Sequence, residues 1–171
     1  MSGRPADPES RDDSEPGILR LGTPGLADLM RGILAEGRSV RFRAGGSSMR
    51  PHLRDGDIVL IGPVARPYEI GDVAAFAGSP EGALLIHRLV GIQDAAFRFK
   101  GDSAKFFDPP VPRDDVFGIV LSVERRGRSV RSAGRKGKRL AARLSRVGFF
   151  AAILSAGWKA KRLLGRRRTD A

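Results

Sequence analysis

The sequence predicts a mainly β protein, with one short helix ahead of the strands and a basic amphipathic helix after them. Three observations carry that prediction. Between residues 40 and 124 the apolar residues come in short runs, several alternating with polar ones at period two, the repeat of a half-buried strand. Gly, Pro and Asp turn signals separate those runs, and no helical repeat intervenes between them. Of the 171 residues 41% are hydrophobic, which supplies one modest core and excludes a wholly disordered chain.

Taken in order, residues 1–17 are rich in Pro, Asp, Glu, Ser and Gly without an apolar period, and read as a disordered leader. Thr23-Pro24 has the form of a helix N-cap followed by proline at the first helical position. Leu26, Leu29, Met30, Ile33 and Leu34 then recur at helical spacing, and Gly37 closes the segment. Val40 and Phe42 alternate with Arg41 and Arg43 as a first strand. Further strands are expected over Ile58–Ile61, Asp72–Phe76, Ala83–Val90, Phe97–Phe99 and Val116–Val123. Turns at Asp55-Gly56, Gly62-Pro63, Gly71-Asp72, Gly78-Ser79-Pro80 and Lys100-Gly101-Asp102 join them, so the folded domain is expected to run from 18 to 124. Residues 125–138 read as a basic linker. Residues 139–171 read as a basic helix and tail, with Leu140, Leu144, Val147, Ala151, Leu154 and Trp158 in one stripe.

The net charge of +12 belongs to that last quarter. From Arg125 to Ala171 there are 16 Lys and Arg against one acid, a balance of +15, so the preceding residues carry −3. A basic tail of this kind suits the surface of an anionic membrane, through residues 139–168, ahead of docking onto a partner protein or the domain itself, and nucleic acid comes last. The absence of cysteine excludes disulfides, thiolate metal clusters and a cysteine nucleophile. Two histidines with no ligand grouping leave no expected metal or cofactor site. No apolar run reaches the ~20 residues of a membrane span, and the N-terminus lacks the apolar core of a signal peptide. The expected location is therefore cytoplasmic, with peripheral attachment to the inner membrane face as an option.

The segment richest in chemistry is Gly45-Gly46-Ser47-Ser48-Met49-Arg50-Pro51. A serine in a Gly-rich turn directly after a strand offers a hydroxyl beside free backbone N–H groups, as acyl transfer requires. Read alone, the segment is equally a plain β-turn. Farther on stand His87-Arg88 at the end of a strong apolar strand, then Gly101-Asp102 and Asp108. In order, Ser48-Met49-Arg50-Pro51, Gly71-Asp72-Val73, His87-Arg88 and Gly101-Asp102…Asp108 resemble the boxes of the type I signal peptidase family, whose fold is shared with LexA-like self-cleaving proteases. The likeness covers about residues 40–124 and extends to Val116–Val120. Histidine where most bacterial members carry lysine looks like the archaeal and endoplasmic-reticulum branch.

The resemblance implies Ser48 as nucleophile, His87 as general base, and Asp108 as the orienting acid, with Asp102 as a supporting or alternative third member. It implies the Ser48 backbone N–H as oxyanion donor, with Ser47 or Gly46 adding a second. A histidine base needs no desolvation to be neutral at pH 7, unlike a lysine. Lys100 and Lys105 are the rival bases; His52 is expected in an exposed segment and given no role; Asp55, Asp57 and Asp72 read as turn residues. The implied activity is a serine endopeptidase that cleaves a leader from a precursor held as an extended strand. The alternatives are a self-cleaving regulator, or a non-catalytic β scaffold whose basic helix docks on membrane or nucleic acid. The chain departs from the family in lacking a spanning helix before the serine.

Overall fold

The structure, a computed structural model, describes residues 19–20, 25–78, 83–130 and 135–148. The protein is mainly β. Its strands are β1 (Leu19–Arg20), β2 (Val40–Arg43), β3 (Ile58–Gly62), β4 (Val73–Gly78), β5 (Ala83–Ile92), β6 (Ala96–Lys100), β7 (Val111–Pro112), β8 (Val116–Arg125) and β9 (Arg128–Val130). Two helices, α1 (Leu26–Ala35) and α2 (Arg135–Arg146), and a single 3-10 turn at Arg113–Asp115 complete the described elements. The sheet runs β1-β2-β3-β8-β4-β5-β6-β7, with β9 paired to β8. Pairings are antiparallel except β1 with β2.

Period-two alternation does what the sequence predicts. In β2, Val40 and Phe42 are buried while Arg41 and Arg43 face water. The buried set meets α1, whose Met30 and Leu34 pack with Phe42, Val59, Ile61 and Val123 in the larger core cluster. Leu29, one of the apolar residues in the helical repeat, is 51% exposed. A second cluster, around Phe76, Leu89, Phe97 and Phe99, holds the β4–β5–β6 region together. Phe76 and Phe99 stack there with ring centroids 4.4 Å apart.

Three expectations need correction. Helix α1 begins at Leu26 behind a left-handed Gly25 (φ +78°) that provides no side-chain cap; Thr23 and Pro24, like the leader 1–17, lie outside the described residues. The segment 125–138 is not a linker throughout. Arg125 ends β8, its neighbours turn into β9, and α2 begins at Arg135, because Arg125 is anchored inward. Its guanidinium donates from Nε and Nη2 to Asp57 Oδ1 and Oδ2 at 2.8 and 2.7 Å. Asp57 and Asp72, read as turn residues, also hold charges in place: Asp72 accepts from Arg66 Nη2 at 2.8 Å and from Lys138 Nζ on α2 at 3.3 Å. Leu144 and the beginning of the apolar stripe are described; Ala151, Leu154 and Trp158 lie outside the described residues. Among the described residues, no helix is long and apolar enough to cross a membrane.

Burial pushes the Asp57 carboxyl up, but the Arg125 hydrogen bonds, the Arg54 amide and the guanidinium charges outweigh it and hold the group below its ordinary value. A carboxyl depressed by folding contributes stability that is fully present above its unfolded value of about 4 and is lost as pH falls through the folded one. Asp57→Asn should therefore cost about 3 kcal/mol at neutral pH, since it leaves Arg125 without its partner. The gap between the urea unfolding curves of variant and wild type should narrow as pH falls below the ordinary carboxyl value of about 4; a gap that stays constant below it would refute the assignment.

Candidate active site

The turn that carries Ser48 is a continuation of the β2–β3 hairpin. Ala44 and Asp57 extend its ladder, the Ala44 N–H donating to Asp57 O at 2.8 Å and the Gly56 N–H to Ala44 O at 2.9 Å. Met49 and Leu53, 4% and 5% exposed, plug the turn into the core from below and leave Ser48 exposed above. Gly46 has φ +89°, a conformation that L side chains rarely adopt, and its N–H donates to Asp55 Oδ1 at 3.1 Å. That bond removes Gly46 from the oxyanion donors. Ser48 lines the adjoining cleft, and its N–H has no acceptor among the described residues. The Ser47 N–H is also unengaged, though Ser47 is not among the residues lining the cleft.

Residue His87 comes from β5, directly opposite Ala74 of β4. A fully buried alanine at that register leaves the imidazole room against the edge of Phe76, whose ring centroid is 6.2 Å away. His87 Nε2 lies 2.9 Å from Ser48 Oγ, and Nδ1 lies 2.7 Å from Asp108 Oδ2. A carboxylate can only accept, so Nδ1 carries the proton and the Nε2 lone pair faces the seryl hydroxyl. This is the polarity of a proton relay from serine to histidine, oriented by aspartate. His87 is 7% exposed, so the relay is shielded from water on the histidine side. Asp108 is pinned through its backbone, its N–H donating to Phe99 O at 3.1 Å.

Asp102 is not part of that relay. Both its oxygens are taken by Arg88, which donates from Nε to Oδ1 at 2.7 Å and from Nη2 to Oδ2 at 2.6 Å. The pair is dry: the two side chains are 3% and 1% exposed. Arg88 Nη1 donates to Gly71 O at 2.9 Å, so the guanidinium ties the loop before β4 to the loop after β6. The latter loop braces the turn that carries Ser48. Ser103 N–H donates to Ser48 O at 2.8 Å, and Ser103 Oγ donates to Ser47 O at 2.6 Å. Gly101 has to be glycine: a Cβ there would stand 2.8 Å from Ser48 O and 3.1 Å from Ser48 Cβ. Arg88, Gly101 and Ser103 were assigned no role from the sequence. The signal for Arg88 was present, as a guanidinium inside an apolar strand five residues from its nearest polar neighbour other than His87.

The two rival bases do not reach the serine hydroxyl. Lys100 is buried and donates from Nζ to Ala104 O at 2.5 Å and to Gly101 O at 3.4 Å, which makes it a strut beneath the same loop. Burial lowers its pKa against the opposing pull of Asp102 and Asp108. Lys105 lies over the Phe106 ring at 5.2 Å. His52 is half-buried rather than exposed, and lines a small hollow of about 50 Å³ with Arg88, Gly71 and Lys138. Burial, then the charge of Arg88, lowers its pKa. Among the described residues no group of His, Cys, Asp and Glu side chains is placed to hold a metal ion.

The cleft beside Ser48, about 400 Å³, has two backbone rims. One is Ala44–Gly46; the other is the first half of β5, Ala83–His87. β6 pairs with β5 only from Arg88 onward, so residues 83–87 have β4 on one side and no described strand on the other. Compared with protein-family models and with curated proteins, the chain matches none.

Removing one partner from a dry ion pair leaves a buried charge uncompensated, at a cost of about 3–5 kcal/mol. Asp102→Asn should lower the unfolding free energy by that amount in urea denaturation, and a loss under about 1 kcal/mol would show the pair to be solvated.

Proposed function

We propose that this protein is a serine endopeptidase of the signal-peptidase-like kind, cleaving a leader or signal segment from a precursor bound as an extended strand. The observation that carries the reading is the chain of two hydrogen bonds, Ser48 Oγ to His87 Nε2 at 2.9 Å and His87 Nδ1 to Asp108 Oδ2 at 2.7 Å. Serine, histidine and carboxylate in that order of contact constitute an activated nucleophile. The open edge of β5 and the Ala44–Gly46 rim support an extended ligand, because each offers main-chain donors and acceptors to an added strand.

In this mechanism His87 Nε2 takes the seryl proton as Ser48 Oγ attacks the scissile carbonyl carbon. The tetrahedral oxyanion meets the Ser48 N–H. Collapse expels the amine, which leaves with the proton returned from His87, and the acyl group stays on Ser48. Water then attacks the ester, giving its proton to the same nitrogen, and the acid product and free serine are restored. Asp108 holds the ring in the tautomer that both steps need and stabilises the imidazolium between them. Asp102 plays its part through Arg88 and the Gly101–Ser103 loop, as a positioning residue.

The test is a comparison of protein N-termini, by peptide mass spectrometry, in cells expressing wild type or Ser48→Ala. A defined set of N-termini present only with the wild type is expected; identical sets, with both proteins folded, would sink the reading. Purified protein should react at Ser48 with a fluorophosphonate, and His87→Ala should slow that labelling by about 10²–10⁴-fold.

A further inference from the structure

Two sets of apolar side chains are open to water outside the cleft. Phe106 and Phe107, directly before Asp108, are 73% and 42% exposed. Along α2 and just past its end the apolar stripe turns outward: Leu140 and Val147 are 57% and 77% exposed and Leu144 is half-buried, whereas Ala142 and Ser145 are buried. The helix thus docks on its small residues. A hollow of about 460 Å³ lies between Phe107 and the end of α2, with Arg98, Ile92 and Arg146 also in its walls. A second, of about 430 Å³, shares Ile92 and Arg146 and continues along α2 past Arg143 and Arg139.

The surface between the phenylalanines and the helix is basic. The Arg98 guanidinium lies 5.4 Å from the Phe107 ring centroid, and Lys105 Nζ lies 5.2 Å from that of Phe106. Arg98, Lys105, Arg139, Arg143 and Arg146 have no carboxylate partner among the described residues. Glu69 is the one acid lining either hollow. Past residue 148 the sequence adds six more bases against one acid.

We propose that this face docks on an anionic lipid bilayer, with Phe106, Phe107, Leu140 and Val147 entering the headgroup region and the flanking bases meeting lipid phosphates. Exposed aromatic and aliphatic side chains beside unpaired arginines match the boundary between headgroups and acyl chains. Single-stranded nucleic acid would use the aromatic rings and the charge but leave Ile92, Leu140 and Val147 with nothing to pack on. The inference does not depend on the reaction assigned to Ser48.

The full-length protein is mixed with vesicles of phosphatidylcholine alone or of phosphatidylcholine with phosphatidylglycerol, and partitioning is read by co-sedimentation. Binding to the anionic vesicles should exceed binding to neutral ones by about tenfold or more. Phe106→Ser with Phe107→Ser should lower partitioning about tenfold at unchanged melting temperature. Because the chain has no cysteine, Phe106→Cys can carry a single polarity-sensitive dye, which should shift to the blue on anionic vesicles. That labelled variant decides the matter if the double variant does not fold. Wild-type partitioning by the folded double variant, or an unshifted dye on vesicle-bound protein, would assign lipid binding to the basic tail alone and overturn the proposal. So would failure to bind anionic vesicles, or preference for a single-stranded RNA over them.

Discussion

A guanidinium and a carboxylate, Arg88 and Asp102, meet in a space from which water is excluded. Neither is placed there cheaply, since desolvating each ion costs several kcal/mol and only good geometry offsets it. The geometry is good: two parallel hydrogen bonds to the carboxylate and a third to Gly71 O saturate one face of the guanidinium. What this interaction fixes is the loop after β6. That loop contacts the Ser48 turn through Ser103 and Gly101 and ends in the aspartate that faces His87. Ser48 and Asp108 come from opposite ends of the domain sequence, and their common support is this one loop. His87 needs no such support, because it precedes Arg88 in the same strand.

Around that pair the acids and bases divide into separate tasks. Asp57 takes Arg125 and closes the far end of the β2–β3 hairpin against β8. Asp72 takes Arg66 and Lys138, so one carboxylate joins the entry of β4 to α2. For Asp72, burial pushes the carboxyl up and the Arg66 hydrogen bond, with the other donors and charges, brings it down below its ordinary value. Lys100 stands under the same loop on the carbonyl oxygens of Gly101 and Ala104. Three aspartates that a turn propensity explains equally well in isolation, Asp57, Asp72 and Asp102, are each satisfied by an arginine distant in sequence from the turn it sits in, or by one six residues away in the case of Arg66.

The central strands were legible because short apolar runs and glycine punctuation are local signals; burial alternates at period two in β2 and in most of β3 and β6, whereas β4 and the middle of β5 are buried on both faces. The residues that meet at the site, Ser48, His87 and Asp108, were legible as types in order. Which aspartate faces the histidine was not. Asp102 and Asp108 share a loop, and only the position of Arg88 removes one of them. β7 and β9 have two and three residues, too few to show a period. The basic stretch after β8 read as a linker because its charges suggested solvation, whereas Arg125 was committed to a carboxylate many residues earlier. The stripe on α2 was legible as a pattern, but which residues of the helix meet the sheet was not. Hydrophobicity alone does not say which side of a helix a sheet will accept, and the close approach here favoured Ala142 and Ser145.

The half-partnered β5 also sets a length scale. Its open portion, Ala83–His87, has five residues, and at about 3.3 Å per residue it presents about 17 Å of main chain. β6 takes over the edge at Arg88, so a chain laid along the open portion stops there. The strand is therefore a stop as well as a wall, and on the proposed reading position along a bound segment would be counted from His87 and Ser48.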